Sequence, residues 1–118
     1  MDKVIKIDGK DFKFRATART PRLYRALVGR DMIVDMNKLQ KAYTDKQQDD
    51  AANFDVIDLQ IFEDTAYVMA RQADPEMETK NADEWLDTFN MFSIYEILPQ
   101  ILDLWVQNTK TTSRSKKK

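Results

Sequence analysis

The sequence predicts a mainly α domain, with an N-terminal β-hairpin, four or five packed helices and a disordered basic C-terminal tail. Three observations carry that expectation. Two short runs near the N-terminus alternate apolar and basic residues around an Asp-Gly pair. Apolar residues then recur at helical spacing through most of the chain, and the last ten positions hold no apolar side chain. A chain of 118 residues, 42% hydrophobic and 33% charged, is long enough for one core and has the composition of a foldable, soluble protein. No apolar run approaches the ~18 residues of a membrane span. Met1-Asp2-Lys3 does not open a secretion signal, and the chain has no Cys, so an intracellular setting is expected.

Lys3–Ile7 and Phe12–Ala16 are the expected strands, with Asp8-Gly9-Lys10-Asp11 as a four-residue loop that sets Ile7 opposite Phe12 and Ile5 opposite Phe14. One face is then apolar and the other carries Lys6, Lys13 and Arg15. An isolated hairpin is marginal in water, so this one must pack on helices. Thr20-Pro21 opens the first helix, with Thr20 as N-cap and Pro21 as first residue. Leu23, Ala26 and Leu27 line one side of it, and Arg19, Arg22, Arg25 and Arg30 surround it. Gly29 is either its end or a weak point in a longer helix. Asp31 can cap the next segment, where Met32, Met36, Leu39 and Tyr43 form a stripe at i, i+4, i+7 and i+11.

Thr44–Asp50 is polar and aperiodic and reads as a loop. A helix over about Asp55–Ala73 has a broad apolar face (Val56, Leu59, Phe62, Ala66 and Ala70, widened by Ile57, Ile61 and Val68), which predicts a central position. Asp74-Pro75 stops it. Asn81 with Glu84, and Ser93 with Glu96, have capping-box spacing, and Phe92 with Ile97 is placed for a hydrophobic staple. The final helix is expected to reach about Gln107, kinked at Pro99. No repeat or interdomain linker is visible, so residues 1–108 are expected to form a single domain and 109–118 a flexible tail.

The chain has no His, no Cys, and only two glycines, Gly9 and Gly29. That removes the commonest general base, the thiol nucleophile and any glycine-rich phosphate loop, and no enzyme is expected. No cofactor or metal site is expected either. The adjacent carboxylate pairs, Glu63/Asp64 among them, point to different helix faces and read as solvated charge. Net charge is only −1, but it is segregated: residues 1–30 carry +6, residues 31–109 carry −12 and residues 110–118 carry +5. This is either ordinary solvation or a pattern by which basic ends of one copy meet the acidic middle of another. The arginines could also meet phosphates, though an overall pI of about 5.5 argues against nucleic acid.

Phe14–Arg25, Gly29-Arg30-Asp31, Glu84-Trp85-Leu86, the helix containing Ile97-Leu98-Pro99 and Leu104-Trp105, and the closing Asn108–Ser113 before a lysine run together resemble the tail assembly chaperones of long-tailed bacteriophages of Gram-positive hosts. The resemblance is one of overall pattern and covers nearly the whole chain. It implies a non-enzymatic protein of the host cytoplasm that coats the long helical tape measure protein, self-associates and is absent from the mature virion. It also implies a longer frameshifted form that recruits tail tube subunits; Lys116-Lys117-Lys118 is compatible with a slippery message there. Candidate partner contacts are Met32, Met36 and Tyr43 for apolar surface, since they border a polar loop, and Arg19, Arg22 and Arg25 for charge. Two alternatives stay open: a structural head–tail joining protein, and a small regulatory nucleic-acid-binding protein.

Overall fold

A computed structural model describes residues 1–47 and 54–116, with side chains over 1–44 and 54–107. An antiparallel hairpin, β1 (Asp2–Ile7) and β2 (Lys10–Arg15), precedes five helices: α1 (Thr20–Val28), α2 (Met32–Gln47), α3 (Val56–Ala73), α4 (Ala82–Leu86) and α5 (Ile94–Lys116). The mainly α class with an N-terminal hairpin is therefore as expected.

The hairpin closes more tightly than predicted. Asp8 and Gly9 have φ of 58° and 82°, the two positive values of a two-residue type I′ turn. Ile7 thus pairs with Lys10, Ile5 with Phe12 and Lys3 with Phe14. The expected pairs, Ile7 with Phe12 and Ile5 with Phe14, are displaced by two residues, and an even shift leaves every side chain on its predicted face. Ile5, Ile7 and Phe14 are buried, while Val4 points out. The outer face is not simply basic: Arg15 binds Asp2 at 2.8 Å and Lys6 lies 3.8 Å from Asp11, both across the strands.

α1 departs from its predicted cap. Thr20 lies inside the helix, behind Arg19, which makes no side-chain cap. The buried Thr20 hydroxyl accepts from the Thr17 N–H at 2.8 Å and donates to Gln72 Oε1 at 2.6 Å. The Gln72 amide nitrogen in turn donates to Thr17 Oγ1 at 2.6 Å. A buried carboxamide on α3 needs these partners, and satisfying it outweighs a cap that water can replace. The inward face of α1 is Thr20 and Tyr24 with Leu23 partly covered, whereas Ala26 and Leu27 are exposed. Gly29 is a true break: at φ 85° its N–H closes on the Arg25 carbonyl and redirects the chain.

Asp31 caps α2 as predicted, its carboxylate accepting from the Ile33 and Val34 N–H groups. The stripe also holds, with Met32, Met36 and Leu39 buried and Tyr43 partly so. α2 runs on through Gln47, so the predicted loop is helical over Thr44–Gln47, and its remainder lies outside the described residues. No Gly or Pro interrupts that stretch.

α3 is the centre, packed by β2, α1, α2, α4 and α5. Ile61, Phe62 and Thr65–Ala70 are buried, so from its second turn the helix is covered all round, whereas Val56, Ile57 and Leu59 in its first turn are exposed. Asp55 and Asp58 form a capping box in which each carboxylate accepts the other residue's N–H. Asp58, 2% exposed, also takes a 2.6 Å bond from Lys38 and so ties α2 to α3.

At α4, Asn81 accepts from the Glu84 N–H, but Glu84 reaches the N–H of Lys80 rather than that of Asn81, leaving the expected box half made. Trp85 then enters the core edge-on to Phe14, Phe89 and Phe92, beside Tyr67. α5 lies along α3 and β1. Its backbone is helical through Lys116, past the predicted end at Gln107 and into the stretch from Thr109 expected to be flexible. After Pro99 this segment contains neither Gly nor Pro to stop a helix. Lys117 and Lys118 lie outside the described residues.

Candidate partner-binding surface

The predicted contact residues separate into three groups. Met32 and Met36, expected to be incompletely covered, are 1% and 0% exposed and fill the core between α2 and α3. The buried hydroxyl of Thr65 donates to the Met36 sulfur at 3.5 Å, so this methionine faces α3 and not the polar segment beyond α2. Tyr43, one turn after Leu39, reaches the surface. Arg19, Arg22 and Arg25 are exposed on the outer side of α1 and make no ion pair among the described residues.

Tyr43 borders a groove of about 310 Å³ whose walls are Gln40, Tyr43 and Thr44 on α2 and Pro99, Leu102, Asp103 and Val106 on α5. On α5 the apolar positions continue upward to Tyr95. Tyr95, Pro99, Leu102 and Val106 stand at i, i+4, i+7 and i+11, which is one helical stripe. Leu102 forms its floor, while Tyr95 is 62% and Val106 41% exposed. Phe54 stacks obliquely on Tyr95 with ring centroids 6.3 Å apart and covers one edge of it. The core takes Ile94, Ile97, Leu98, Ile101, Leu104 and Trp105 from α5 and also covers Leu102, so the stripe is exposed at its ends and shared with the core at its middle. The second stripe was present in the sequence, but it merges there with the core residues, because α5 is apolar nearly all round over these turns. Pro99 adds to it, since with no N–H on a ring at position 99 the Tyr95 carbonyl has no helical partner.

A polar cluster stands at the other end of α2. Arg30, just after the Gly29 break, donates to Asp35 at 2.8 Å and to Asp64 at 2.8 Å, and its guanidinium also meets the Tyr24 hydroxyl. Tyr24 donates to Asp35 at 2.6 Å. Burial first, and then the bond to Asp35, hold the phenol proton well above its usual range. Burial opposes the Arg30 charge, but the bonds to Asp64 and Asp35 outweigh it and hold the guanidinium protonated. Burial also pushes the Asp64 carboxyl up against the pull of Arg30. Glu63/Asp64, expected to be solvated, is therefore a half-buried pair of which one member is tied to Arg30. Beside this cluster a cleft of about 250 Å³ opens between Leu27, Val28 and Arg30 on one side and Lys80–Asp83 on the other.

Glu63 supplies a pH test. Burial, followed by the nearby Asp64 and Asp83, raises its pKa in the folded chain. A raised carboxyl pKa gives stability that is complete below the unfolded value of about 4.3 and is lost as pH rises through the folded value. Glu63→Gln is expected to equal the parent in urea midpoint near pH 4 and to exceed it at pH 7. An equal midpoint at both pH values would show that Glu63 titrates as a solvated group.

Among the described residues no group of three or more acidic side chains is placed to hold a metal ion, and no helix is long and apolar enough to cross a membrane. Comparison of the chain with protein-family models, with curated proteins and with solved structures returned no match.

Proposed function

We propose that this chain is a phage tail assembly chaperone that holds the tape measure protein in solution by covering apolar helical surface. The single observation that supports the reading most is the stripe Tyr95–Pro99–Leu102–Val106, which runs beside the groove between α2 and α5 and leaves Tyr95 and Val106 exposed at its two ends. A helix laid in such a groove presents its own apolar residues at i, i+3, i+4 and i+7. The binding is reversible side-chain contact, with no bond made or broken, and Tyr43 with Tyr95 supplies rigid amphipathic anchors. In this reading the protein acts in the host cytoplasm, leaves before the particle matures, and has a longer frameshifted form that brings tail tube subunits to the same partner. Arg19, Arg22 and Arg25 remain candidate charge contacts in it.

Co-expression with a long helical protein encoded next to this gene tests the proposal. The parent chain is expected to keep that partner in the soluble fraction, and Tyr95→Glu/Val106→Glu is expected to lose it. Both side chains are exposed, so the variant's circular dichroism and thermal midpoint should match the parent's. A partner equally soluble with the double variant, or without this chain at all, would refute the reading. So would recovery of the chain in fixed copy number from purified particles.

A further inference from the structure

The hairpin has two outer edges, and that of β2 borders a groove. Met1 and Ala16 exchange both backbone hydrogen bonds at 2.9 Å, which marks them as a hydrogen-bonded pair. Such pairs alternate along an antiparallel ladder, so Lys3–Phe14, Ile5–Phe12 and Ile7–Lys10 are bonded while Val4–Lys13 and Lys6–Asp11 are not. The backbone N–H and C=O groups of Asp11 and Lys13 therefore point away from β1. No third strand takes them, and among the described residues no other group bonds to them. Beside them lies a groove of about 440 Å³ that Asp11, Phe12 and Lys13 all line. Side chains alternate across a strand, so three consecutive residues share one groove only where it runs along the strand's edge. Met77 and the edge of Trp85 make its apolar part, and Asp74 and Glu78 stand beside them. Both carboxylates are exposed and form no ion pair among the described residues. Thr79 lines the groove as well, and its hydroxyl is buried with no hydrogen-bond partner among the described residues.

We infer that this groove takes an extended segment of another protein, with alternating apolar and basic side chains, which adds to the open edge of β2 as a third strand. The outward backbone groups of Asp11 and Lys13 supply the ladder. Apolar side chains on one face of the added strand pack beside Phe12, Met77 and Trp85, and long basic side chains reach Asp11, Asp74 and Glu78. Three carboxylates against the one cation Lys13 set the sign, so an acidic segment is repelled. A helix is a poor occupant, because it satisfies its own backbone and leaves the edge of β2 unpaired. The inference stands apart from the chaperone reading, whose groove lies between α2 and α5.

The probe is a fluorescein-labelled peptide of seven residues in which lysine and valine alternate, capped at both ends. Fluorescence anisotropy with the full chain is expected to show saturable binding. A peptide of the same composition with its lysines and valines in two blocks is expected to bind about tenfold more weakly, since it cannot hold its apolar side chains on one face. Methylating the backbone nitrogens of the valines blocks one edge of the peptide, and methylating those of the lysines blocks the other. One of these two peptides is expected to bind as the parent peptide does, and the other about tenfold more weakly or not at all. On the protein, Lys13→Pro removes an outward N–H and leaves the ladder to β1 whole. It is expected to weaken binding about tenfold, as is Asp74→Lys/Glu78→Lys, whereas Val4→Pro, the same change on the edge of β1, leaves it unchanged. No saturable binding at millimolar peptide, or equal binding by the blocked and alternating peptides, would overturn the inference. Equal binding by the two methylated peptides would do so on the unaltered chain, whether or not a proline variant folds. Loss with Val4→Pro in place of Lys13→Pro would move the site to β1 and overturn it too.

Discussion

Replacing Trp85 by alanine is expected to lower the unfolding free energy by about 3–5 kcal/mol, a large part of the roughly 5–15 kcal/mol that holds a domain of this size. Trp85 is 4% exposed and sits where four parts of the chain meet. Its ring lies 5.0 Å from Phe89, 5.4 Å from Phe92, 5.9 Å from Tyr67 and 6.3 Å from Phe14. Three of the four contacts are edge-to-face, the arrangement that opposed ring quadrupoles prefer. α4, the helix that carries it, has only five residues and cannot close on a smaller side chain without losing its own anchor. Urea unfolding followed by circular dichroism measures the loss. Trp85→Phe should recover about half of it, since most of the area and one ring face return. A loss below about 1 kcal/mol for alanine would mean that the aromatic cluster contributes little packing energy.

Arg30→Met is expected to cost about 2–3 kcal/mol. The methionine fills the space of the aliphatic stem, so the loss comes from the abandoned carboxylates. Asp35 and Asp64 keep 13% and 16% of their side-chain surface, and among the described residues neither has a second cation within salt-bridge distance. The Arg30 side chain is itself 36% exposed, so solvent screening places the value below that of a fully buried pair. Because burial already raises the Asp64 pKa, the defect is expected to shrink as pH falls through that value and Asp64 protonates. Arg30→Met/Asp64→Asn should be more stable at pH 7 than Arg30→Met alone. A double variant no better than the single one would place the cost in lost packing instead.

The elements that can be read in the sequence are those fixed by short-range chemistry. Asp8-Gly9 announced the hairpin, Asp31 the cap of α2 and Asp74-Pro75 a helix end, because each acts on backbone within a few residues of itself, and of the two readings left open at Gly29 the structure shows the break. The hairpin register was two residues off because Asp8, like Gly9, takes positive φ, which shortens the loop. Side chains serving distant partners left no such trace. Thr20 was expected as a cap from its place before Pro21, yet Gln72, 52 positions later, takes its hydroxyl. Lys38 and Asp58 lie on separate helices 20 positions apart, and nothing in the local pattern of either reveals that they meet. Of the candidate contacts, Met32 and Met36 failed because adjacency to a polar segment says nothing about what packs on the other side of α2. Tyr43 and the arginines lie at the surface, but the Tyr95–Val106 stripe that completes the groove was hidden among the apolar residues of α5.

The hairpin is made well before the helix that covers β1. Lys3 pairs with Asp103 across 100 positions, the Asp8 carboxylate accepts the N–H of Asn90, and β1 lies along α5. At about 5–20 residues per second, a ribosome delivers these partners several seconds after the strand. Throughout that interval the strand carrying Ile5 and Ile7 has no final cover, and the growing polypeptide presents an unfinished oily edge to its surroundings until α5 emerges.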